Sequence, residues 1–356
     1  MPGKSITENL KSGLFCGTAV LPAAVAFCVC SPFGAGFAFT AAMLFSILTA
    51  FTGFVPSYAS FAVIASLAAV SGVLPALIAV ALAMVLFFAV RRFAKGEPVF
   101  NAESAGIAAV MLGTALALTV MQTTDYFGIG AVGNNVLEML TSYRSLGFHG
   151  NWRGVLYGTI TMVLMITYPR KMKILSKKVP ATFWAILFTT VLTFFLNPVK
   201  ENTAINEIGA YRLFDFSSLT LSADLRGIFN AFLCGIALFF IMLYREYTGK
   251  EKSVYYGSGR VQDKLITSAV SISVCLIALL PLSFFAERIP VHSLAVIIIV
   301  GMWQRVNWHA LKVTFTGGLP SIVLFAAVLA VTVIVSPEYG IILAELWALA
   351  GIKKAK

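Results

Sequence analysis

Charge is what this chain has least of. Asp, Glu, Lys and Arg make up 12% of its 356 residues, against about 25% in an ordinary soluble domain. With 59% hydrophobic residues and a mean hydropathy of +0.90, that scarcity excludes a water-soluble fold. Histidine is rarer still: His149, His292 and His309 stand far apart, with no HExxH or similar ligand spacing. No metal site and no cofactor are expected. A nucleophile, base and acid set cannot be read either, because helical serines such as Ser271 and Ser273 normally bond backbone carbonyls or neighbouring helices. The chain is therefore read as not an enzyme. The five cysteines, Cys16, Cys28, Cys30, Cys234 and Cys275, all lie inside apolar runs, where the thiol behaves as a small hydrophobe. Cys28 and Cys30, two apart, fall on different faces of a helix, so neither a disulfide nor a ligand pair is expected.

What is abundant is apolar length. Windows of about 20 residues, enough for one helical crossing, give about twelve candidate spans. They run near 13–31, 36–53, 56–71, 73–90, 104–122, 153–168, 180–197, 227–244, 265–285, 290–303, 315–335 and 338–351. The first is long for a cleaved signal peptide and is read as retained. The class is all-α: a polytopic membrane protein with one membrane domain over 1–356 and no soluble domain.

The net charge of +11 would otherwise suggest nucleic acid. Its distribution points elsewhere, because Lys and Arg gather in every second gap between spans. With Met1 inside, the inner gaps hold Arg91, Arg92 and Lys95, then Arg170 to Lys178, then Arg245 to Lys264, then Arg305, Lys312 and the tail Lys353 to Lys356. The outer gaps hold only Arg144, Arg153, Lys200, Arg212, Arg226 and Arg288. The excess of basic residues on the cytoplasmic side explains this pattern, so the partner is a lipid bilayer and not nucleic acid. Both termini are expected in the cytoplasm, with the protein in the cell membrane.

Tyr143, Trp152, Tyr157, Tyr168, Trp184, Trp303, Trp308 and Tyr339 sit near span ends and read as headgroup-level anchors. Small residues at helical spacing, Gly13, Gly17 and Ala24 in the first span and Ala105, Ala109, Gly113 and Ala117 in the fifth, predict close helix packing. Carboxylates at membrane depth are functional candidates, and they are few. Glu103 and Asp125 lie at span ends, while Glu345, between Ile342 and Trp347, is placed deepest.

An ordered series of segments carries a family resemblance. IPVHSLAVIIIVGMWQRVNWHALK at 289–312, GLFCGTAVLPAAVAF at 13–27, NWRGVLYGTITMVLMITYPRKMKILSKKVPATFWAILF at 151–188 and VIVSPEYGIILAELWAL at 333–349 together resemble the SulP family of anion transporters. The resemblance implies a 7+7 inverted-repeat fold, here truncated. Its core-like part would be 13–92 and 227–285, and its gate-like part 104–197 and 290–351. It implies secondary transport of small inorganic anions, such as sulfate or bicarbonate, by movement of core against gate. The family's third and tenth helices are half-helices whose N-termini hold the anion. In this sequence Pro22, Ala23, Pro56, Ser57, Tyr58 and Ser60 fall at the corresponding substrate-binding positions. Pro56 suits a helix start, and Ser57, Tyr58 and Ser60 supply hydroxyls beside it.

The chain also departs from the family pattern. Leu21-Pro22-Ala23 stands where relatives read Leu-Pro-Gln, and 229–244 contains no carboxylate where relatives carry a Glu. The twenty polar and aromatic residues from Arg245 to Lys264 are too few for the family's ninth and tenth helices. The cytoplasmic STAS domain is also expected to be absent. A homodimer could supply a missing half-helix. The alternative is a non-transporting membrane scaffold or subunit derived from the same fold.

Overall fold

The computed structural model describes residues 6–14, 73–93, 105–129, 136–146, 150–172, 181–196, 224–248, 265–274 and 288–352, with isolated positions between them. Every regular element among these residues is an α-helix. We number them α1 (residues 6–14), α2 (Val73–Phe93), α3 (Ala105–Phe127), α4 (Val136–Leu146), α5 (Trp152–Lys171) and α6 (Ala181–Leu196). The second half continues with α7 (Leu225–Thr248), α8 (Leu265–Val274), α9 (Val291–Trp303), α10 (Trp308–Thr316), α11 (Leu319–Ile334) and α12 (Pro337–Ile352).

Local chemistry sets several helix starts. The Asn151 side chain accepts from the backbone N–H of Arg153 at 3.1 Å and of Gly154 at 3.4 Å, capping α5. Asn307 caps α10 by accepting from the Ala310 N–H at 3.2 Å. Each such cap stabilises its helix by about 1 kcal/mol. Gly318, with φ 86°, turns the chain between α10 and α11, and Pro320 follows in the first turn of α11, where its missing N–H is harmless. Inside the helices the buried hydroxyls are satisfied locally. Thr114, Thr161, Thr189 and Thr332 donate to the carbonyls of Val110, Tyr157, Ala185 and Val328 at 2.7–2.9 Å.

The lengths bear on the span count. Ala105–Phe127 and Leu225–Met242 are long and apolar enough to cross a bilayer, and α9 with α10 forms a third such unit bent by 47°. Among the described residues, the apolar stretches Leu74–Val90 within α2, Ala181–Leu196, Leu265–Val274 and Leu319–Ile334 are shorter. Large apolar side chains such as Val191, Phe195, Leu225, Phe229 and Leu319 face outward, as they do where lipid is the solvent. The chain is an integral membrane protein. The first three expected spans and residues 249–262 lie almost wholly outside the described residues.

Helix packing follows the small residues. Gly13 and Gly17 of the first span meet Val270 and Val274, so close that an added methyl would lie 2.6–2.7 Å from each Cβ. The equal spacing of both pairs makes that packing parallel, and Asn9 donates to Asp263 at 2.9 Å at the same end. Elsewhere α2 packs along α7, while α3 is the hub of a larger group containing α9, α11 and α12. The buried face of α3 carries Ala105, Ala109, Gly113 and Ala117, as the spacing predicts. α9 in turn packs on α5, and α5 on α6. The contact of α7 with α12 joins the α2–α7 pair to the α3 group.

Thr332 of α11 occupies a notch formed by Gly113 of α3 and Gly340 of α12. A methyl group on either glycine would strike the threonine side chain. Gly340→Ala is expected to lower stability by about 1–3 kcal/mol, the usual cost of overpacking a filled core. A thermal melt in detergent followed by monodisperse elution checks this, and an unchanged midpoint would refute the close approach.

Candidate functional site

Pro22, Ala23, Pro56, Ser57, Tyr58 and Ser60 all lie outside the described residues, as does Glu103. Two other buried polar features are within them. Both sit on helices that the hydropathy pattern places at membrane depth.

The first is Glu345, two turns into α12 and 8% exposed. It borders a cavity of about 20 Å³ lined by Ile107, Val110 and Met111 of α3, Phe240 and Ile241 of α7, and Ile341 and Ala344 of its own helix. The cavity lies where α3, α7 and α12 meet. Beside it Gly106 approaches Ala344, where an added methyl would lie 2.6 Å from the alanine Cβ. Apart from Glu345, every described lining residue is apolar. An ionised carboxylate among carbon atoms is unfavourable by several kcal/mol unless it is paired or hydrated.

The second is His292, in the first turn of α9. It is 2% exposed, and neither ring nitrogen has a hydrogen-bond partner among the described residues. Gly154 of α5 makes room for it, since the imidazole occupies the space a Cβ at 154 would need. One turn on, Gly158 faces the Tyr126 ring and Val296. The two helices thus run parallel and in step, with Gly154 beside His292 and Gly158 beside Val296. The Tyr157 hydroxyl is likewise buried without a partner.

These positions correct two expectations. Tyr157 is not a headgroup anchor but a core residue, 2% exposed between α5 and α9. Trp303 is also tied inward, donating its indole N–H to the Thr119 hydroxyl at 2.9 Å and stacking on Trp308 at 5.9 Å. Trp152 is 70% exposed. The sequence carried a signal for the His292 site in the Gly154/Gly158 pair, two small residues one turn apart that invite a close neighbour.

No cluster of three metal-ligating side chains occurs among the described residues. Cys234, the one cysteine described, is a buried free thiol.

No protein-family profile and no curated protein matches the chain. Solved structures do match. The transmembrane domain of BicA, a cyanobacterium bicarbonate transporter, superposes with a TM-score of 0.64 at 19% identity, covering 97% of this chain and 98% of that one. The overall structure of SLC26A9 gives a TM-score of 0.57 at 14% identity, covering 98% of this chain and 65% of the other. Murine Solute Carrier 26 family member A9 anion transporter in the inward-facing state also gives 0.57 at 14% identity, over 100% of this chain and 69% of its own length. This chain thus spans about two thirds of the SLC26A9 protein. The fold is that of the BicA transmembrane domain and of SLC26A9, structures of the kind of anion transporter that the sequence resembles.

Proposed function

We propose that this protein is a secondary transporter of small inorganic anions, sulfate, bicarbonate or similar, working by movement of a core-like helix group against a gate-like one. The observation that carries this reading is the fold match to a bicarbonate transporter domain over 97% of the chain. The helix contacts are compatible with it. α2 and α7 belong to the core-like part, 13–92 and 227–285. α3, α5, α6, α9, α11 and α12 belong to the gate-like part, 104–197 and 290–351. In this reading the anion sits between Pro22-Ala23 and residues 56–60, held by backbone N–H groups at a helix start and by the hydroxyls of Ser57, Tyr58 and Ser60.

The test is uptake of labelled sulfate, bicarbonate, chloride and a dicarboxylate into proteoliposomes containing the purified full chain. Ser57→Ala is expected to raise KM about tenfold for the carried anion, the loss of one hydrogen bond to a charged group. A folded protein that moves none of these anions would refute transport. That result would favour the scaffold or subunit reading, which the absence of a carboxylate from residues 229–244 supports.

A further inference from the structure

We propose that Glu345 is a proton-binding site in the seam between α7 and α12, and that taking up or releasing its proton is linked to separation of these helices. The proposal rests on the transport reading only in assigning that separation to the transport cycle. The site itself stands on the geometry of the cavity.

Glu345 is 8% exposed as a residue and borders a cavity of about 20 Å³. Such a volume holds about one water, and a buried water needs two to four polar partners. The other seven described lining residues offer no polar side chain. A carboxylate needs several donors around its two oxygens, whereas a neutral acid can sit in a dry seam at far smaller cost. The closed packing therefore suits the protonated form. Parting of α7 from α12 would admit water and suit the anion. The step is a simple exchange in which one carboxylate oxygen takes a proton from hydronium in the aqueous phase on closing, leaving water, and returns it to water on opening. A group whose proton affinity differs between two conformations couples pH to their populations.

Among the described residues, the neighbouring helices supply little to compete with this exchange. α3 places no ionisable residue near the cavity, since Asp125 and Tyr126 lie at its far end. α11 has no ionisable residue at all. On α7, among the residues whose side chains are described, the one titratable group is Cys234, two turns before Ile241. On α12 the other acid is Glu338, two turns earlier in the first turn.

Two measurements on the full chain in liposomes decide the matter. Infrared difference spectra between acid and alkaline buffer should show a protonated-carboxyl band that is absent in Glu345→Gln and in Glu345→Leu. Spectra identical to wild type in both variants would overturn the site. Anion flux should depend on pH in the wild type, stay dependent in Glu345→Asp and become flat in Glu345→Gln. An unchanged profile in Glu345→Gln would overturn the linkage. If the wild type carries no anion, the transport reading fails on its own, while the infrared band still decides whether Glu345 binds a proton.

Discussion

Gly154→Ala is expected to deplete the folded protein, and His292→Ala in the same chain to restore it. A Cβ at position 154 would overlap Nε2, Cδ2 and Cε1 of the His292 ring. The ring has no free direction in which to retreat, because nearly every residue of α9 from Val291 to Met302 is buried. The helices would have to part along a parallel contact that also includes Gly158, Val296 and the Gln304 side chain, which donates to the Met165 carbonyl at 3.3 Å. Overpacking of this kind costs about 1–3 kcal/mol. Truncating His292 removes the obstacle together with two buried nitrogens that lack partners, so the second change offsets the first. The double-mutant cycle should give a favourable coupling of about 0.5–3 kcal/mol, as expected for side chains in direct contact. Thermal midpoints of the four proteins in detergent measure it. A double variant no more stable than Gly154→Ala would show that the imidazole does not fill that space.

The part of this arrangement visible in the sequence was the part that depends on one helix at a time. The small-residue face of α3 follows from its own periodicity, and so does the close packing of Gly13 and Gly17. Which helix fills such a face depends on tertiary structure, so the pairing of Gly154 with His292 stayed hidden. Tyr157 was misplaced for the same reason: its position near a span end suggests an anchor, while the parallel docking of α9 buries it. The window at 290–303 has nearly the bounds of α9, Val291–Trp303. α9 has 13 residues, about 20 Å of helix, well short of a hydrocarbon core of about 30 Å. The nine-residue α10 falls in the gap between the windows at 290–303 and 315–335, where Arg305 and Lys312 read as an inner basic loop, although Asn307 immediately before it is a readable cap. The anion-site residues Pro22, Ala23, Pro56, Ser57, Tyr58 and Ser60 remain a reading of sequence and resemblance. Glu345 was legible as a deep acid, but its cavity was not, because three helices distant in sequence build it.

Bridging α7 to α12 is expected to stop anion uptake, whereas bridging α3 to α12 leaves it running. The experiment uses a chain whose native cysteines are replaced, with Ile241→Cys and Ala344→Cys in one protein and Met111→Cys and Ile341→Cys in the other. All four positions line the same cavity, so a short thiol-specific cross-linker can reach either pair. The difference lies in what each bridge joins. α3 and α12 belong to one tightly packed group, wedged together at Gly106 against Ala344 and around Thr332. α7 instead has its main contact with α2 and meets α12 across the seam between the groups. If the α2–α7 pair shifts against the α3 group during transport, a bond across the seam must block the cycle, while a bond inside one group restrains nothing that moves. Flux in the 241–344 protein should fall to the leak of empty liposomes on cross-linking and return when a cleavable linker is reduced. Equal flux before and after bridging would place the moving boundary elsewhere in the fold. Loss of flux in the 111–341 protein would show that α3 and α12 also separate, so that the gate-like group is not a single body.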